Sequence, residues 1–239
     1  MIRIEPRTSA SRGFRAGISI LSAVISLALA AIPLMLAGAN PIVAYGEMAK
    51  GVFGSVFSIS EMLTRATPLI FTGLAAAMAF RAKLWNIGAE GQLYLGAMAA
   101  VAIGSGFLDA PGIILMPLIV VLGAAAGAAG MAVPTYLKIR FGADEVVTTL
   151  LLNFIILIFL QMMLEGPLQD PMGLGWPQSA PVLDQGMLPP LMDRMRVHSG
   201  LIIAIVAAGV AQFMLIRSVW GFKLRAVGEN AAAARHAGI

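Results

Sequence analysis

Three polar side chains, Asn86, Glu90 and Gln92, stand close together in the stretch from Phe80 to Gln92, between two apolar runs. A charged side chain at the centre of a membrane helix costs about 2.5 to 3.5 kcal/mol on insertion scales. Polar groups that are nevertheless kept in such segments commonly line the path of a polar solute and hydrogen-bond it. One interpretation is therefore a helix break or helix start at which these three side chains face a translocation pathway.

The same stretch also has a purely structural interpretation. Arg81 and Lys83 then mark the border of the membrane, and Asn86 caps the helix that follows. Glu90 falls in the first turns of that helix, where a negative charge interacts favourably with the helix dipole. The two interpretations do not exclude each other.

A second polar stretch, Phe141 to Asn153, opens another apolar run. Asp144 is placed as an N-cap. Asn153 lies deeper, where an amide needs a partner on a neighbouring helix. Capping and helix packing explain these residues on one interpretation, and on the other Thr149 and Asn153 line the pathway.

Arrangements that would support catalysis or cofactor binding are missing from the sequence. There is no Cys, which excludes thiolate metal sites and a Cys nucleophile. No GxxxxGKS, GxxxxGKT, HExxH or GxSxG motif occurs, and the two imidazoles, His198 and His236, are far apart. We therefore expect no catalytic residue, no metal site and no cofactor on this chain.

The composition is that of an integral membrane protein. Of the 239 residues, 59% are hydrophobic and 12% are charged, and the mean hydropathy is +0.88. Soluble domains carry about 25% charged residues, so these charges are too few to cover a soluble surface. The net charge of +4 comes from basic residues in short segments between apolar runs, which indicates membrane topology and not nucleic-acid binding.

Six apolar runs are long enough to cross a bilayer, which takes about 20 residues, so we expect an all-α membrane protein with about six spans. Their approximate limits are 16–39, 63–80, 87–105, 112–135, 146–164 and 199–217. The first run is longer than the apolar part of a signal peptide and is interpreted as an uncleaved span. The fourth contains GAAAGAAG, from Gly123 to Gly130, whose small residues predict a packing face within the chain or against a second copy.

The basic residues orient these spans. With the N-terminus in the cytosol, 12 of the 16 Lys and Arg residues lie on the cytosolic side and 4 lie outside, as the positive-inside rule requires. Residues 1–217 then form the transmembrane domain, in which 165–198, with six prolines, is a periplasmic loop and 40–62 has room for a short surface helix. The remaining segment, 218–239, is cytosolic.

The cytosolic segment contains GFKLRAVGENAAAARHAGI, from Gly221 to Ile239. Ala231 to Ala237 favours a helix, and Asn230 is placed to cap it. A short cytosolic helix of this kind can enter a groove on a partner protein, and the alternative interpretation is a solvated loop.

This segment resembles the cytosolic coupling loop of permease subunits of bacterial ABC importers, in which an Ala-Ala-x-x-x-Gly core docks onto the ATPase. Here the core begins at Ala233 and ends at Gly238, and Ala232 stands where many relatives carry Glu. LWNIGAEGQLYLGA from Leu84 and FGADEVVTTLLLNFI from Phe141 are similar to the nucleoside and simple-sugar branch of the same family, which is related to the ribose and branched-chain amino acid permeases.

The resemblance implies a permease subunit that moves a nucleoside, a simple sugar or another small polar solute across the bacterial inner membrane into the cytoplasm. It implies an ATPase partner that binds ATP, a second permease subunit, identical or paralogous, and a periplasmic or lipid-anchored solute-binding protein. Relatives continue past this loop with several more spans, so we expect the chain to be the N-terminal part of a larger bundle. The residues implied in coupling are Gly221, Gly228, Glu229, Asn230, Ala233, Ala234 and Gly238.

Two other classes of protein are possible. A secondary transporter or a channel subunit would need no ATPase, but it would favour coupling carboxylates near the membrane midplane and an internal repeat, and the sequence has no clear instance of either. A scaffold subunit without transport activity would have no reason to carry the coupling-like segment.

Overall fold

The computed structural model describes residues 11–106, 108 and 110–239. They fall into two compact units, one that ends at Ile59 and one that begins at Ser60. The all-α class predicted from the sequence is confirmed, with no strand among the described residues. The helices are α1 (Arg12–Leu36), α2 (Pro41–Phe53), α3 (Val56–Arg81), α4 (Ala89–Gly104), α5 (Gly112–Phe141), α6 (Glu145–Leu164), α7 (Gly200–Arg217), α8 (Val219–Glu229) and α9 (Ala231–His236).

Each of the six predicted spans corresponds to a helix. Among the described residues, five of these helices are long and apolar enough to cross a membrane, while α4 has 16 residues. At 1.5 Å per residue α4 is about 24 Å long, against a hydrocarbon core of about 30 Å. α3 begins at Val56, earlier than the predicted 63, because polar residues such as Glu61 and Arg65 lower the hydropathy of its first turns without interrupting the helix.

In the first unit, α2 occupies the 40–62 segment in which a short helix was expected. Asn40 Oδ1 accepts the N–H groups of Ile42 and Val43 at 3.0 and 3.4 Å, and a proline follows Asn40, which together start the helix. The hydroxyl of Tyr45 donates to the carbonyl oxygen of Leu27 at 2.7 Å and ties α2 to α1.

In the second unit, the connections between helices gather at two opposite ends. At one end the N–H of Trp85, between α3 and α4, donates to Glu145, which begins α6, at 3.4 Å. At the other end the N–H of Leu183, in the 165–198 segment, donates to the carbonyl of Gly104, which ends α4, at 2.8 Å. α4 therefore reaches from one group of connections to the other, packed against α5 and α6, although it is short.

The turn between α5 and α6 is built around Gly142 and Asp144, which one residue separates. Gly142 has a φ of +68°, the left-handed conformation that ends many helices, and its N–H donates to the carbonyl of Lys138 at 3.0 Å. Asp144 Oδ1 then accepts the N–H groups of Val146 and Val147 at 2.8 and 3.1 Å. The predicted N-cap at Asp144 is confirmed.

The small-residue face of α5 packs within the chain. A Cβ added at Gly123 would lie 3.3 Å from the carbonyl oxygen of Gly96, and one added at Gly127 would lie 3.1 Å from that of Gln92. These distances leave little room for a side chain at either glycine. Because the glycines have none, the backbones of α4 and α5 approach each other closely. The partner of the predicted packing face is therefore α4.

Candidate functional site

The two polar stretches, 80–92 and 141–153, meet where α4 and α6 begin. Gly88 is the N-cap residue of α4 and has no side chain to accept the N–H groups of the first turn. Asn153 of α6 takes this role, since its Oδ1 accepts the N–H of Gly91, and its Nδ2 donates to Glu90 at 3.4 Å. Asn153 is buried, and the partner predicted for it on a neighbouring helix is confirmed.

Asn86 pairs with Gln92 through both ends of the two amides. Asn86 Nδ2 donates to Gln92 Oε1 at 3.1 Å, and Gln92 Nε2 donates to Asn86 Oδ1 at 3.0 Å. Asn86 Oδ1 also accepts the N–H of Gly88 at 3.0 Å. The interpretation of Asn86 as the cap of α4 was wrong: the residue stands before the N-cap and orders the connection that leads into the helix.

Glu145 and Thr149 of α6 hold the same connection from the other side. Glu145 forms an ion pair with Lys138 near the end of α5 and accepts the N–H of Trp85. Thr149 Oγ1 accepts the N–H of Ile87 at 3.3 Å. The ion pair was not predicted; its signal in the sequence is a basic residue at the end of one helix and an acidic residue at the start of the next, across a short glycine turn.

Glu90 lies in the first turn of α4, as the structural interpretation required. Its side chain is exposed and accepts the hydroxyl of Tyr94, one turn further along, at 3.5 Å. A carboxylate at this position interacts favourably with the positive end of the helix dipole.

A cavity of about 650 Å³ lies between α3, α4 and α5. This is within the range of small-molecule sites, about 300–1,000 Å³. Thr72, Asn86 and Gln92 are the polar residues of its lining, and most of the other lining residues are Ala and Gly. The described lining includes Asn86 and Gln92 but neither Glu90 nor Asn153.

The 218–239 segment folds into helices, and α8 contacts the end of α7 and the end of α3. A Cβ added at Gly221 would lie under 3.0 Å from the backbone of Met214 in the last turn of α7. One added at Gly228 would lie equally close to the carbonyl oxygen of Arg81, which ends α3. Both positions require glycine because another backbone occupies the place of the side chain.

The short helix α9 begins at the predicted cap. Asn230 Oδ1 accepts the N–H groups of Ala232 and Ala233 at 3.1 and 3.0 Å, which confirms that prediction. Ala234 is buried, and Gly238 has a φ of +75° just after the helix. The residues implied in coupling thus lie on α8, on α9 or directly beside α9, and they include the exposed Glu229 at the end of α8.

Comparison with known proteins gives consistent matches. Residues 58–239 match the family described as branched-chain amino acid transport system / permease component. The chain is 34% identical to the glucose ABC transporter permease protein TsgB13 of Haloferax volcanii (100% of this chain, 65% of the relative). It is 35% identical to the guanosine ABC transporter permease protein NupP of Bacillus subtilis (93% and 64%) and 31% identical to the nucleoside ABC transporter permease protein NupB of Lactococcus lactis (93% and 63%). The chain thus spans just under two thirds of the length of these relatives, and no solved structure matches it.

Proposed function

Because this chain belongs to the family of permease components of branched-chain amino acid transport systems, we propose that it is the membrane-spanning permease subunit of an ATP-driven ABC importer. The observation that carries the proposal is the family match, which runs from the start of α3 through α9. On this proposal the chain forms the passage for a small polar solute, and ATP is hydrolysed on a separate ATPase.

The solute we propose is a nucleoside or a simple sugar, because relatives named as guanosine, nucleoside and glucose permeases match most of the chain. The partners are an ABC ATPase, a second permease subunit, identical or paralogous, and a periplasmic or lipid-anchored binding protein that delivers the solute. The complete transporter lies in the bacterial inner membrane.

For the topology we propose six spans with the N-terminus in the cytosol. Residues 1–217 form the transmembrane domain, 165–198 its periplasmic loop and 218–239 the cytosolic coupling segment. The grouping of the helix connections at two ends of the second unit supports this order, and so does the distribution of basic residues.

Single cysteines test this topology, since the chain has none of its own. Met172, which is exposed in the 165–198 segment, and Ala232, which is exposed on α9, are each replaced by Cys. A membrane-impermeant maleimide should label Met172→Cys in intact spheroplasts and Ala232→Cys only after permeabilisation. The reverse labelling would contradict the proposed orientation.

We propose further that the cavity between α3, α4 and α5 is part of the solute pathway, with the Asn86–Gln92 amide pair at its polar end. A pathway role for Glu90 and Asn153 stays a prediction. The size of the cavity and the presence of both amides in its lining support the proposal.

Filling this cavity should block transport. Ala97 of α4 is exposed and lines the cavity, so Ala97→Phe is expected to reduce solute uptake by about tenfold or more, since a bulky ring would occupy the passage. Ala102→Phe is the matched control, because Ala102 is exposed on the same helix and is not among the described lining residues. Equal uptake by the two variants would place the pathway elsewhere.

The coupling role is tested by purifying the tagged chain from its native membrane in mild detergent and identifying co-purifying proteins by mass spectrometry. We expect an ABC ATPase and a second permease. Gly238→Arg should still insert but should lose the ATPase and uptake, because Gly238 has a left-handed backbone that a bulky residue rarely adopts. Retention of both by this variant would refute the coupling assignment, and an inserted chain without any ATPase would favour the secondary transporter or channel.

A further inference from the structure

The first turn of α8 exposes large apolar side chains. Val219, Trp220 and Phe222 are 72%, 63% and 56% exposed. The span α7 ends at Arg217, and only Ser218 separates it from α8. The exposed side chains therefore lie within about one turn of the end of a span, at the depth of the lipid headgroups. Trp is enriched at this depth because its ring is apolar and its N–H is polar.

α8 also crosses the ends of two spans. Gly221 contacts the last turn of α7 and Gly228 contacts the last residue of α3. The two glycines are separated by about 10 Å along a helix, close to the distance of about 8–10 Å between the axes of packed helices. α8 therefore lies across both helix ends, roughly parallel to the membrane surface. The face that carries Gly221 and Gly228 is turned toward the spans.

Basic residues are frequent on this helix and at the ends of the two spans it crosses. The cations that belong to α8 or to the ends of the two spans it crosses are Arg81, Lys83, Arg217, Lys223 and Arg225. Glu229 is the acidic residue of α8. Exposed aromatic residues together with basic residues are typical of helices that lie in the surface of an anionic bilayer.

We propose that α8 is an interfacial helix that binds anionic phospholipid at the membrane surface where α3 and α7 end. Trp220 and Phe222 lie among the headgroups, and Lys223 contacts lipid phosphate. The exposed side chains of α8 take this role, while Gly221, Gly228 and Glu229 keep the coupling role implied for them; the extended backbone of Asn230 divides α8 from α9. Attachment of α8 to the surface sets the height at which α9 meets its partner.

Trp220 reports on this contact directly in a variant in which Trp85 and Trp176 are replaced by Phe. The chain is placed in phosphatidylcholine nanodiscs that contain a fixed fraction of lipid brominated near the glycerol, either phosphatidylcholine or phosphatidylglycerol. Both lipids should quench Trp220, and brominated phosphatidylglycerol should quench it about threefold or more strongly than brominated phosphatidylcholine. In Lys223→Gln the ratio of the two quenching efficiencies should be close to one. Arg235→Gln, which removes the same charge from α9, should leave it unchanged.

Equal quenching by the two lipids would overturn the proposal. So would quenching by aqueous iodide without quenching by lipid, which would place Trp220 in the cytosol. Protection from both quenchers would also overturn it, since a protein surface would then cover α8. A second measurement uses the chain with all its Trp residues. The lipid that co-purifies with it in mild detergent should be richer in phosphatidylglycerol than the bulk membrane, and Lys223→Gln should reduce this enrichment. The absence of enrichment would count against the proposal independently.

Discussion

Adding one methyl group at Gly228 is expected to reduce solute uptake by about tenfold or more. Gly228→Ala would place a Cβ under 3.0 Å from the carbonyl oxygen of Arg81, a backbone atom that cannot turn aside as a side chain can. α8 must then move away from the end of α3, and overpacking of this kind costs about 1–3 kcal/mol. On the proposed function, the measurement is uptake of a radiolabelled nucleoside and a radiolabelled simple sugar by cells in which the variant is the only copy, with the amount of inserted chain followed by immunoblot.

Gly209→Ala on α7 is the matched control for this substitution. Among the described residues, no atom lies within 4 Å of a Cβ added at Gly209. Gly to Ala in a helix interior favours the helix by about 1 kcal/mol, so this variant should transport normally. If Gly228→Ala transported as well as Gly209→Ala, the position of α8 would not depend on its contact with α3.

Asn153→Leu is expected to lower the free energy of unfolding by about 1–3 kcal/mol. The N–H of Gly91 in the first turn of α4 is buried and donates to Asn153 Oδ1. Leucine fills a similar volume but accepts no hydrogen bond, so that N–H is left without its partner. The midpoint of chemical unfolding in detergent, followed by Trp fluorescence, measures the loss.

Asn153→Asp separates the effect of the hydrogen bond to Gly91 on stability from the effect of a charge at position 153. The aspartate keeps an acceptor for Gly91 but adds a negative charge beside Glu90, whose Oε2 lies 3.4 Å from the amide nitrogen of Asn153. We expect it to be less stable than the natural chain and to be rescued by Glu90→Gln in the double variant. An Asn153→Leu chain as stable as the natural one would contradict the capping role.

Helix positions and several helix ends could be predicted because their causes are local. Apolar runs of sufficient length identify spans, and the caps at Asp144 and Asn230 act on N–H groups two or three residues away. The polar types of Asn86, Gln92 and Asn153 also identified the region of the candidate site. Their partners could not be predicted, and for that reason Asn86 was interpreted as the cap of α4, whereas the N-cap residue is Gly88.

By itself, the sequence determined an all-α membrane protein, the order of its helices and a family resemblance carried by short motifs. Only the tertiary structure decided that Asn153 caps α4 from a distance of 62 residues, that the GAAAGAAG face meets α4 and that Gly228 meets the end of α3. The physical reason is that membrane helices are apolar on every side, so their periodicity does not indicate which face packs. Small residues permit close approach without specifying the neighbour, and the neighbour follows from how all the helices pack together.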